Sequence, residues 1–445
     1  MDTDVIVVGG GAAGLAAANV LAEGGAGCVV LEARDRAGGR IHTEWTDDGA
    51  TPIELGAEFI HGFGAPIREL AKRYGLRALD IAGQRFESSG TRLTPARDGW
   101  ARVDRVLRRL DPERDPDRSL AGALHAWRGA LPPADLAQAR QFIEGFDAAD
   151  PGVVSERWLA HTGPPLRGGR DSRVGRLVDG YGSLIEALVR PVRDRVRLNS
   201  TVAAVNWKRA RVEVEYRSGR GARRGRLTAR AVVITVPLGV LQAPPGSPGA
   251  IRFDPFVPAL DRAIGLGVMG PVVKLVLRFA EPFWLEPRFG RQRGVQVLDR
   301  MTFLRSRRPS PFGVWWTSYP VRVPLLVAWA GGPKAAALGG LQPAELERCA
   351  VQSLATILAT TEVRIRRHLL SSHYHDWSSD PFSRGAYSYA RVGGYRMSAR
   401  LARAVQQTIW YAGEAADRPA STGTVHGAIA SGQRAAREIV ELVHG

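Results

Sequence analysis

Glycines near the N-terminus and one acidic residue have the spacing of a dinucleotide site. Gly9, Gly11 and Gly14 follow a short apolar run, and Glu32 comes directly after the next one. Gly9 permits a tight turn, Gly11 lets the backbone approach a pyrophosphate, and Gly14 allows a helix to pack closely against a strand. A carboxylate at position 32 is placed to bind a ribose hydroxyl. This spacing predicts that the segment binds one half of a dinucleotide.

A lysine inside an apolar run is a second candidate for chemistry. Lys274 lies in the strand-like segment 271–279, and the chain has only three other lysines beside 61 − 4 = 57 arginines. One interpretation places the Lys274 charge on the solvent face of an alternating strand. The other makes it a functional cation. The scarcity of lysine in the chain favours the functional interpretation.

Two aromatic residues ten positions apart form a third candidate group. Trp377 follows an aspartate, and Tyr387 lies in the segment 381–389. An aromatic wall can orient an amine or hold a cation through the quadrupole of the ring. The alternative is that both residues are ordinary members of the hydrophobic core.

The residues around the N-terminal glycines predict a strand, a helix and a second strand. The runs 4–8 and 28–31 are short and apolar, as in buried parallel strands, and an alanine-rich stretch separates them. A second match to the glycine pattern, at 265–270, precedes a strand-like run rather than a helix. We interpret that match as accidental, and we expect one dinucleotide.

Composition limits the remaining function classes. The chain of 445 residues carries a net charge of +17, but its arginines are scattered, so specific nucleic-acid binding is not expected. No apolar run approaches the ~20 residues that span a bilayer. Without a signal peptide or membrane anchor, the expected location is cytoplasmic. Only Cys28 and Cys349 are present, and histidine spacing indicates no metal site.

Five further segments occur in the order seen in a known family: 34–40, 54–62, 178–184, 411–414 and 423–427. With the glycine pattern they resemble the flavin-containing amine oxidases, which include monoamine oxidases, polyamine oxidases and lysine-specific histone demethylases. The likeness spans nearly the whole chain. It implies an α/β fold in which a Rossmann-type FAD-binding domain carries a discontinuous α+β substrate-binding domain. We expect the first at 1–64, 176–242 and 391–445 and the second at 65–175 and 243–390.

The resemblance also implies which residues contact FAD. Arg40 would neutralise the phosphates, Val202 would meet the adenine, and the amides of Thr424 and Val425 would meet the flavin O2 edge. Because Ala386 replaces the cysteine that bonds to the flavin in monoamine oxidases, FAD should be noncovalent. The full expected set is Gly9, Gly11, Ala13, Gly14, Glu32, Ala33, Arg34, Gly39, Arg40, Leu55, Gly56, Ala57, Glu58, Val202, Trp377, Gly413, Glu414, Thr424 and Val425.

Catalytic roles for Lys274, Trp377 and Tyr387 follow from the same resemblance. The matching lysine of the family hydrogen-bonds through a water to flavin N5, which implies a role in redox tuning and oxygen activation. Trp377 would stack near the flavin ring, and Tyr387 would stand at its re face. Thr424 occupies the place of a second tyrosine found in monoamine oxidases, so the aromatic cage is incomplete.

Two residues of the segment 54–62 have open roles. The position of His61 faces substrate in polyamine-type enzymes, but a lone histidine is also often a purely structural residue. Glu58 would bind a substrate ammonium or cap backbone amides. With Tyr387 and Thr424, these residues form the expected substrate site.

The resemblance implies oxidation of an amine C–N bond with O2 as electron acceptor and H2O2 as product, and a polyamine-type substrate is favoured. One alternative is an L-amino acid oxidase, which would carry an arginine where this chain has Phe59. Another is a noncatalytic flavoprotein that uses its basic surface for binding. The expected partners are therefore a small amine and O2.

Overall fold

The computed structural model describes residues 1–62, 66–96, 99–162, 174–219, 223–286, 298–417 and 421–444. Its strands β1 to β23 are Val5–Val8, Cys28–Leu31, Thr43–Trp45, Pro52–Glu54, Ile60–His61, Ala78–Asp80, Gln84–Ser88, Leu93–Pro95, Val174–Leu177, Val196–Arg197, Ser200–Lys208, Arg211–Ser218, Arg223–Ala229, Ala231–Ile234, Arg252–Asp254, Gly267–Gly270, Val272–Phe279, Met301–Ser306, Val314–Thr317, Leu325–Gly331, Leu369–Tyr374, Tyr387–Ala390 and Ile409–Tyr411.

The α-helices α1 to α14 are Ala12–Glu23, Pro66–Arg73, Gly99–Leu107, Leu120–Ala126, Pro133–Phe146, Glu156–Thr162, Gly180–Val189, Leu238–Leu241, Pro258–Ile264, Pro333–Ala337, Pro343–Ile357, Glu362–His368, Met397–Leu401 and Val425–His444. Short 3₁₀ helices cover Arg190–Arg195, Phe283–Leu285 and Glu414–Ala416.

A five-stranded parallel sheet contains the N-terminal unit. Its order is β10-β2-β1-β14-β23, and β1 pairs in parallel with both β2 and β14. The predicted strand, helix and strand are present as β1, α1 and β2. Burial of the sheet on both faces explains its near-continuous valine and isoleucine runs.

Small residues let the helices approach this sheet closely. A Cβ atom at Gly14 would lie 1.9 Å from the carbonyl oxygen of Gly9, so α1 can pack at this distance only with glycine. On the other side of α1, a Cβ at Gly432 of α14 would lie 2.1 Å from the carbonyl oxygen of Ala13. The packing role predicted for Gly14 therefore agrees with its surroundings.

A seven-stranded sheet of order β21-β17-β20-β19-β18-β7-β8 forms the second large layer. One face packs against α11 in an apolar core that includes Leu275, Leu304 and Trp315. Strand pairing places a continuous row of side chains on the opposite face. That row runs from β17 to β7 through Lys274, Trp329, Val314, Arg305 and Glu87.

The two largest sheets draw on different parts of the chain, whereas the smaller sheets β13-β12-β11-β15 and β5-β9-β6 join strands from both predicted domains. The five-stranded sheet draws on the parts expected to bind FAD, and the seven-stranded sheet draws on the parts expected to bind substrate. The exact limits of the two domains stay predictions. The second glycine match leads into strands β16 and β17, as its sequence context indicated. No described helix is long and apolar enough to cross a membrane.

Candidate active site

A cavity of about 500 Å³ joins the two large sheets. Its lining includes the carboxyl ends of β1 and β2, at Val8 and Leu31, where α/β sheets bind nucleotides. It also includes the row of side chains from Lys274 to Glu87 on the seven-stranded sheet. A molecule in this cavity would therefore contact both layers.

The sheet end of the cavity suits a dinucleotide. Gly9 has a φ of +110°, a conformation that favours glycine, and α1 begins after Gly11 without a side-chain cap. The first amides of α1 are thus available to a phosphate. Glu32 is buried, and its carboxylate accepts bonds from the amides of Gly10 at 2.6 Å and Arg34 at 2.9 Å. Burial raises its pKa despite these donors.

Every residue expected to contact FAD lines this cavity except Gly14, which lies behind it against Gly9. Arg40 has a partner that the sequence did not reveal. Its guanidinium donates to the Glu414 carboxylate at 2.9 Å and to the Ala386 carbonyl at 2.7 Å. Glu414 also accepts from the Ser388 hydroxyl at 2.7 Å. The pair fixes the chain beside the expected phosphate and ribityl region.

The N-terminus of α14 closes another part of the wall. The Thr424 hydroxyl accepts from the amide of Gly427 at 3.0 Å and donates to the Ser421 carbonyl at 2.6 Å. Thr424 thereby caps the helix, and Val425 beside it also lines the cavity. The arrangement leaves the helix N-terminus facing the cavity, where it favours negative charge.

Lys274 is the central cation of the cavity. Lys274 is only 3% exposed, so the interpretation that its charge lies on the solvent face of the strand is wrong. The ammonium donates to the carbonyl of Gly56 at 3.0 Å and lies 2.8 Å from the carboxylate of Glu58. Its cross-strand partner is Trp329 on β20. Strand β17 therefore presents a buried, fixed ammonium to the cavity.

Glu58 is held by three protein donors. Besides Lys274, it contacts Arg176 at 2.9 Å and the indole N–H of Trp316 at 3.0 Å. Burial opposes ionisation, but the charges of Lys274 and Arg176 keep the pKa of Glu58 below its ordinary value. None of these contacts caps a backbone amide. A direct contact with a substrate ammonium stays a prediction.

Trp377 and Tyr387 both line the cavity and are both anchored to backbone. The Trp377 indole donates to the Leu55 carbonyl at 3.0 Å, and the Tyr387 hydroxyl donates to the Phe146 carbonyl at 2.7 Å. Burial, with the nearby carboxyl groups of Asp147 and Glu414, raises the pKa of Tyr387. These aromatics are thus rigid, neutral walls.

His61 also lines the cavity. Its Nδ1 atom is buried and has no hydrogen-bond partner among the residues that the structure describes, and its ring packs against Phe146 with centroids 5.5 Å apart. Burial, with a smaller effect of His426, lowers the pKa of His61 to about 4. The imidazole is therefore neutral at physiological pH.

Several residues that line the cavity or support its wall were not anticipated from the sequence. Trp316 lies on β19 and Trp329 on β20, two strands whose side chains alternate between the faces of the sheet. This alternation was the sequence signal that could have identified both residues. Arg176 approaches Glu58 only through the tertiary fold. Asp147 lines the cavity directly after α5, and no sequence motif marks it.

Comparisons with known proteins agree with this architecture. Residues 12–440 match the family model described as flavin containing amine oxidoreductase. Polyamine oxidase 3 of Oryza sativa subsp. japonica is 30% identical, with 97% of this chain and 88% of that protein covered. The flavin-containing amine oxidase of Danio rerio is 26% identical, with 98% and 85% covered.

Solved structures show the same fold. Putrescine oxidase bound to putrescine has a TM-score of 0.79 at 21% identity, with 99% of each chain covered. Cyclohexylamine oxidase from Brevibacterium oxydans IH-35A has a TM-score of 0.80 at 22% identity, with 100% of each chain covered. The chain therefore belongs to the flavin-containing amine oxidoreductase family and is an FAD-dependent amine oxidase.

Proposed function

We propose that this enzyme oxidises polyamine-type amines with O2 as acceptor and that Lys274 serves the redox chemistry. The observation that carries the proposal is the buried Lys274 ammonium, fixed between Glu58 and Gly56 in a cavity that also reaches the dinucleotide motif. Bound FAD would accept hydride from the amine carbon and pass its electrons to O2, giving H2O2 while the imine hydrolyses to an aldehyde and ammonia or a smaller amine.

Lys274 supplies positive charge where negative charge develops. Its ammonium is already desolvated, so it needs little reorganisation during the reaction. Glu58, Arg176 and Trp316 keep it in place, and we assign Glu58 to this holding role. The lysine need not act as the base that deprotonates the substrate.

The aromatic wall orients the amine. Trp377 and Tyr387 stand in the cavity with their polar atoms bonded to backbone, which leaves their ring faces to meet the substrate. His61 is neutral and adds no competing charge. Because this chain has Ala386 in place of a cysteine, we infer that the cavity holds FAD without a covalent bond.

An α-amino acid substrate fits less well. Its carboxylate would need a cation close to the reacting carbon, but Arg176 is occupied by Glu58 and by the Thr317 carbonyl at 3.1 Å. Arg305 lies on β18, three strands from Lys274 in the sheet. At ~4.8 Å per strand, the backbone of Arg305 lies about 14 Å from that of Lys274, so Arg305 is displaced from the lysine toward the far part of the sheet. The polyamine oxidases among the relatives support the same preference.

An anaerobic titration with different amines tests this proposal. We expect the FAD-loaded protein to bleach with a polyamine or diamine and to recolour in air with release of peroxide. Amino acids should bleach it far more slowly. The absence of bleaching with polyamines, monoamines and amino acids alike would contradict the oxidase assignment for this site.

A further inference from the structure

Two arginines line the cavity on the far part of the seven-stranded sheet. Arg305 lies on β18 and Arg85 on β7, and both contribute to the cavity wall. Glu87 is the cross-strand partner of Arg305, and Arg85 lies two residues before Glu87, so the three side chains share one face of the sheet. The Arg85 guanidinium lies over the Phe303 ring, 5.6 Å from its centroid. Arg85 and Arg305, the arginine pair, thus make this wall basic.

The arginine pair concentrates like charge in a partly desolvated place. Arg305 forms no hydrogen bond or ion pair with any residue that the structure describes, although the charge of Glu87 attracts it. Burial lowers the pKa of Arg305, and burial together with the charge of Arg305 lowers the pKa of Arg85. Two neighbouring cations away from bulk water are costly, and an anion bound between them would offset that cost.

The arginine pair is separated from Lys274 by an apolar wall. Three strand steps put the backbone of Arg305 about 14 Å from that of Lys274. The residues between them in the row are Val314 and Trp329, and both line the cavity. A molecule that reaches both ends therefore needs an apolar chain of roughly 10 Å, which about eight extended bonds supply.

We propose that Arg305 and Arg85 bind a carboxylate at the far end of the substrate, so that the enzyme oxidises amines that carry an acidic group well away from the reacting nitrogen. Each guanidinium offers two parallel N–H donors to a carboxylate. Glu87 on the same face would repel the second charge of a phosphate, which favours the singly charged carboxylate. The proposal rests on the amine oxidase function and specifies the far end of its substrate. A diamine acylated at one nitrogen by a dicarboxylic acid has both required ends.

Three amines of nearly equal length test the subsite in the FAD-loaded enzyme. They are ω-aminooctanoate, octylamine and octamethylenediamine, which share the reacting end and differ in a far carboxylate, methyl or ammonium group. Arg305→Gln and, separately, Arg85→Gln each remove one charge of the pair. Arg307→Gln is the matched control, because Arg307 follows the same strand and is exposed. Flavin absorbance checks that each variant is folded.

The expected result is a preference for the carboxylate that depends on the arginine pair. Wild type should show a kcat/KM for ω-aminooctanoate about 10–100-fold above that for octylamine, as for a charge-assisted hydrogen bond. Arg305→Gln and Arg85→Gln should each remove most of this preference and affect octylamine far less, whereas Arg307→Gln should change neither.

Separate outcomes would contradict the subsite and the oxidase function. A wild type that prefers octamethylenediamine, or that oxidises the three amines alike, would overturn the subsite while leaving the oxidase function intact. Equal losses for ω-aminooctanoate and octylamine in the folded Arg305→Gln and Arg85→Gln variants would also overturn the subsite. Oxidation of no amine at all would overturn both.

Discussion

Two carboxyl groups in the cavity differ in how they are compensated. Glu58 is surrounded by Lys274, Arg176 and Trp316, and its pKa is below the ordinary value despite burial. Asp147 has no charged or hydrogen-bonding partner among the described residues, and burial raises its pKa to about 7. The difference separates a carboxylate that the protein neutralises with its own cations from one that lines the cavity without a charged partner among the described residues.

The comparison links burial to function. A buried charge that is satisfied within the protein rigidifies its neighbours, and Lys274 gains a fixed position from Glu58. A buried charge left without a partner costs stability, and such a cost is often retained at binding sites. We therefore expect changes at Glu58 to affect stability and the position of the lysine, and changes at Asp147 to affect how stability depends on pH.

The largest effect is expected from Glu58→Gln. Removing this charge leaves Lys274 and Arg176 buried without their counter-ion, which should cost about 3–5 kcal/mol in the free energy of unfolding. Chemical denaturation of the FAD-loaded protein measures the loss. Glu23→Gln is the control, since Glu23 pairs with Arg73 at the surface and should contribute about 0–1 kcal/mol. Equal losses in the two variants would show that the Glu58 cluster is not a stabilising unit.

Lys274→Met should chiefly change the oxygen reaction. The variant should retain FAD, but reoxidation of the reduced flavin by O2 should slow on the order of 100-fold because a preorganised positive charge is lost. Stopped-flow absorbance measures the rate, with the exposed Lys208→Met as the control. An unchanged rate would return Lys274 to a structural role.

Asp147→Asn should stabilise the substrate-free protein at high pH. The folded-state pKa of Asp147 is about 7, above the ordinary 3.8, so folding favours the neutral carboxyl group. The contribution of the neutral carboxyl group to the free energy of unfolding is fully present below pH 3.8 and is lost as the pH rises through about 7. Above pH 8 the free energy of unfolding of the variant should therefore exceed that of wild type by about 1–3 kcal/mol.

At low pH, where the carboxyl group is neutral, the two proteins should unfold alike. His61 and Tyr387 do not titrate in this window, because the pKa of His61 is about 4 and the pKa of Tyr387 is raised. Burial also raises the pKa of Glu54 to about 7, but Glu54 is present in both proteins and cancels in the comparison. A stability difference independent of pH would contradict the assignment of an uncompensated carboxylate.

The smallest effect is expected from Trp316→Phe. This change removes one of three donors to Glu58 and keeps most of the ring, so it should cost about 1 kcal/mol and slow reoxidation only slightly. Trp315→Phe is the matched control, because its indole N–H bonds the Phe312 carbonyl on the other face of the sheet. It should lose similar stability without any kinetic change. A larger kinetic effect in the control would show that Trp316 does not act through Glu58.

Local patterns in the sequence predicted the dinucleotide end of the molecule well. The glycines from Gly9 to Gly14 and the apolar runs beside them specify strand, turn and helix within a short stretch of chain, and the fold contains each element. The scarcity of lysine also correctly indicated that Lys274 is not a surface residue, and its functional role stays a prediction. These signals depend on neighbouring residues only.

The substrate side depends on contacts between distant segments. Arg176 reaches Glu58 through β9, and Trp329 contacts the end of α5 because β20 passes beneath that helix. Asp147 resembles any aspartate that follows a helix until the fold places it in the cavity. Its missing partner is a property of the tertiary structure, so no spacing in the sequence could reveal it.

Separate measurement of the two half-reactions tests the assignment of these groups most directly. Wild type and Lys274→Met are each reduced anaerobically by putrescine and then mixed with O2. We predict that Lys274→Met slows reoxidation far more than reduction. Equal slowing of both half-reactions in Lys274→Met, or no reduction of wild type by any amine, would contradict this account.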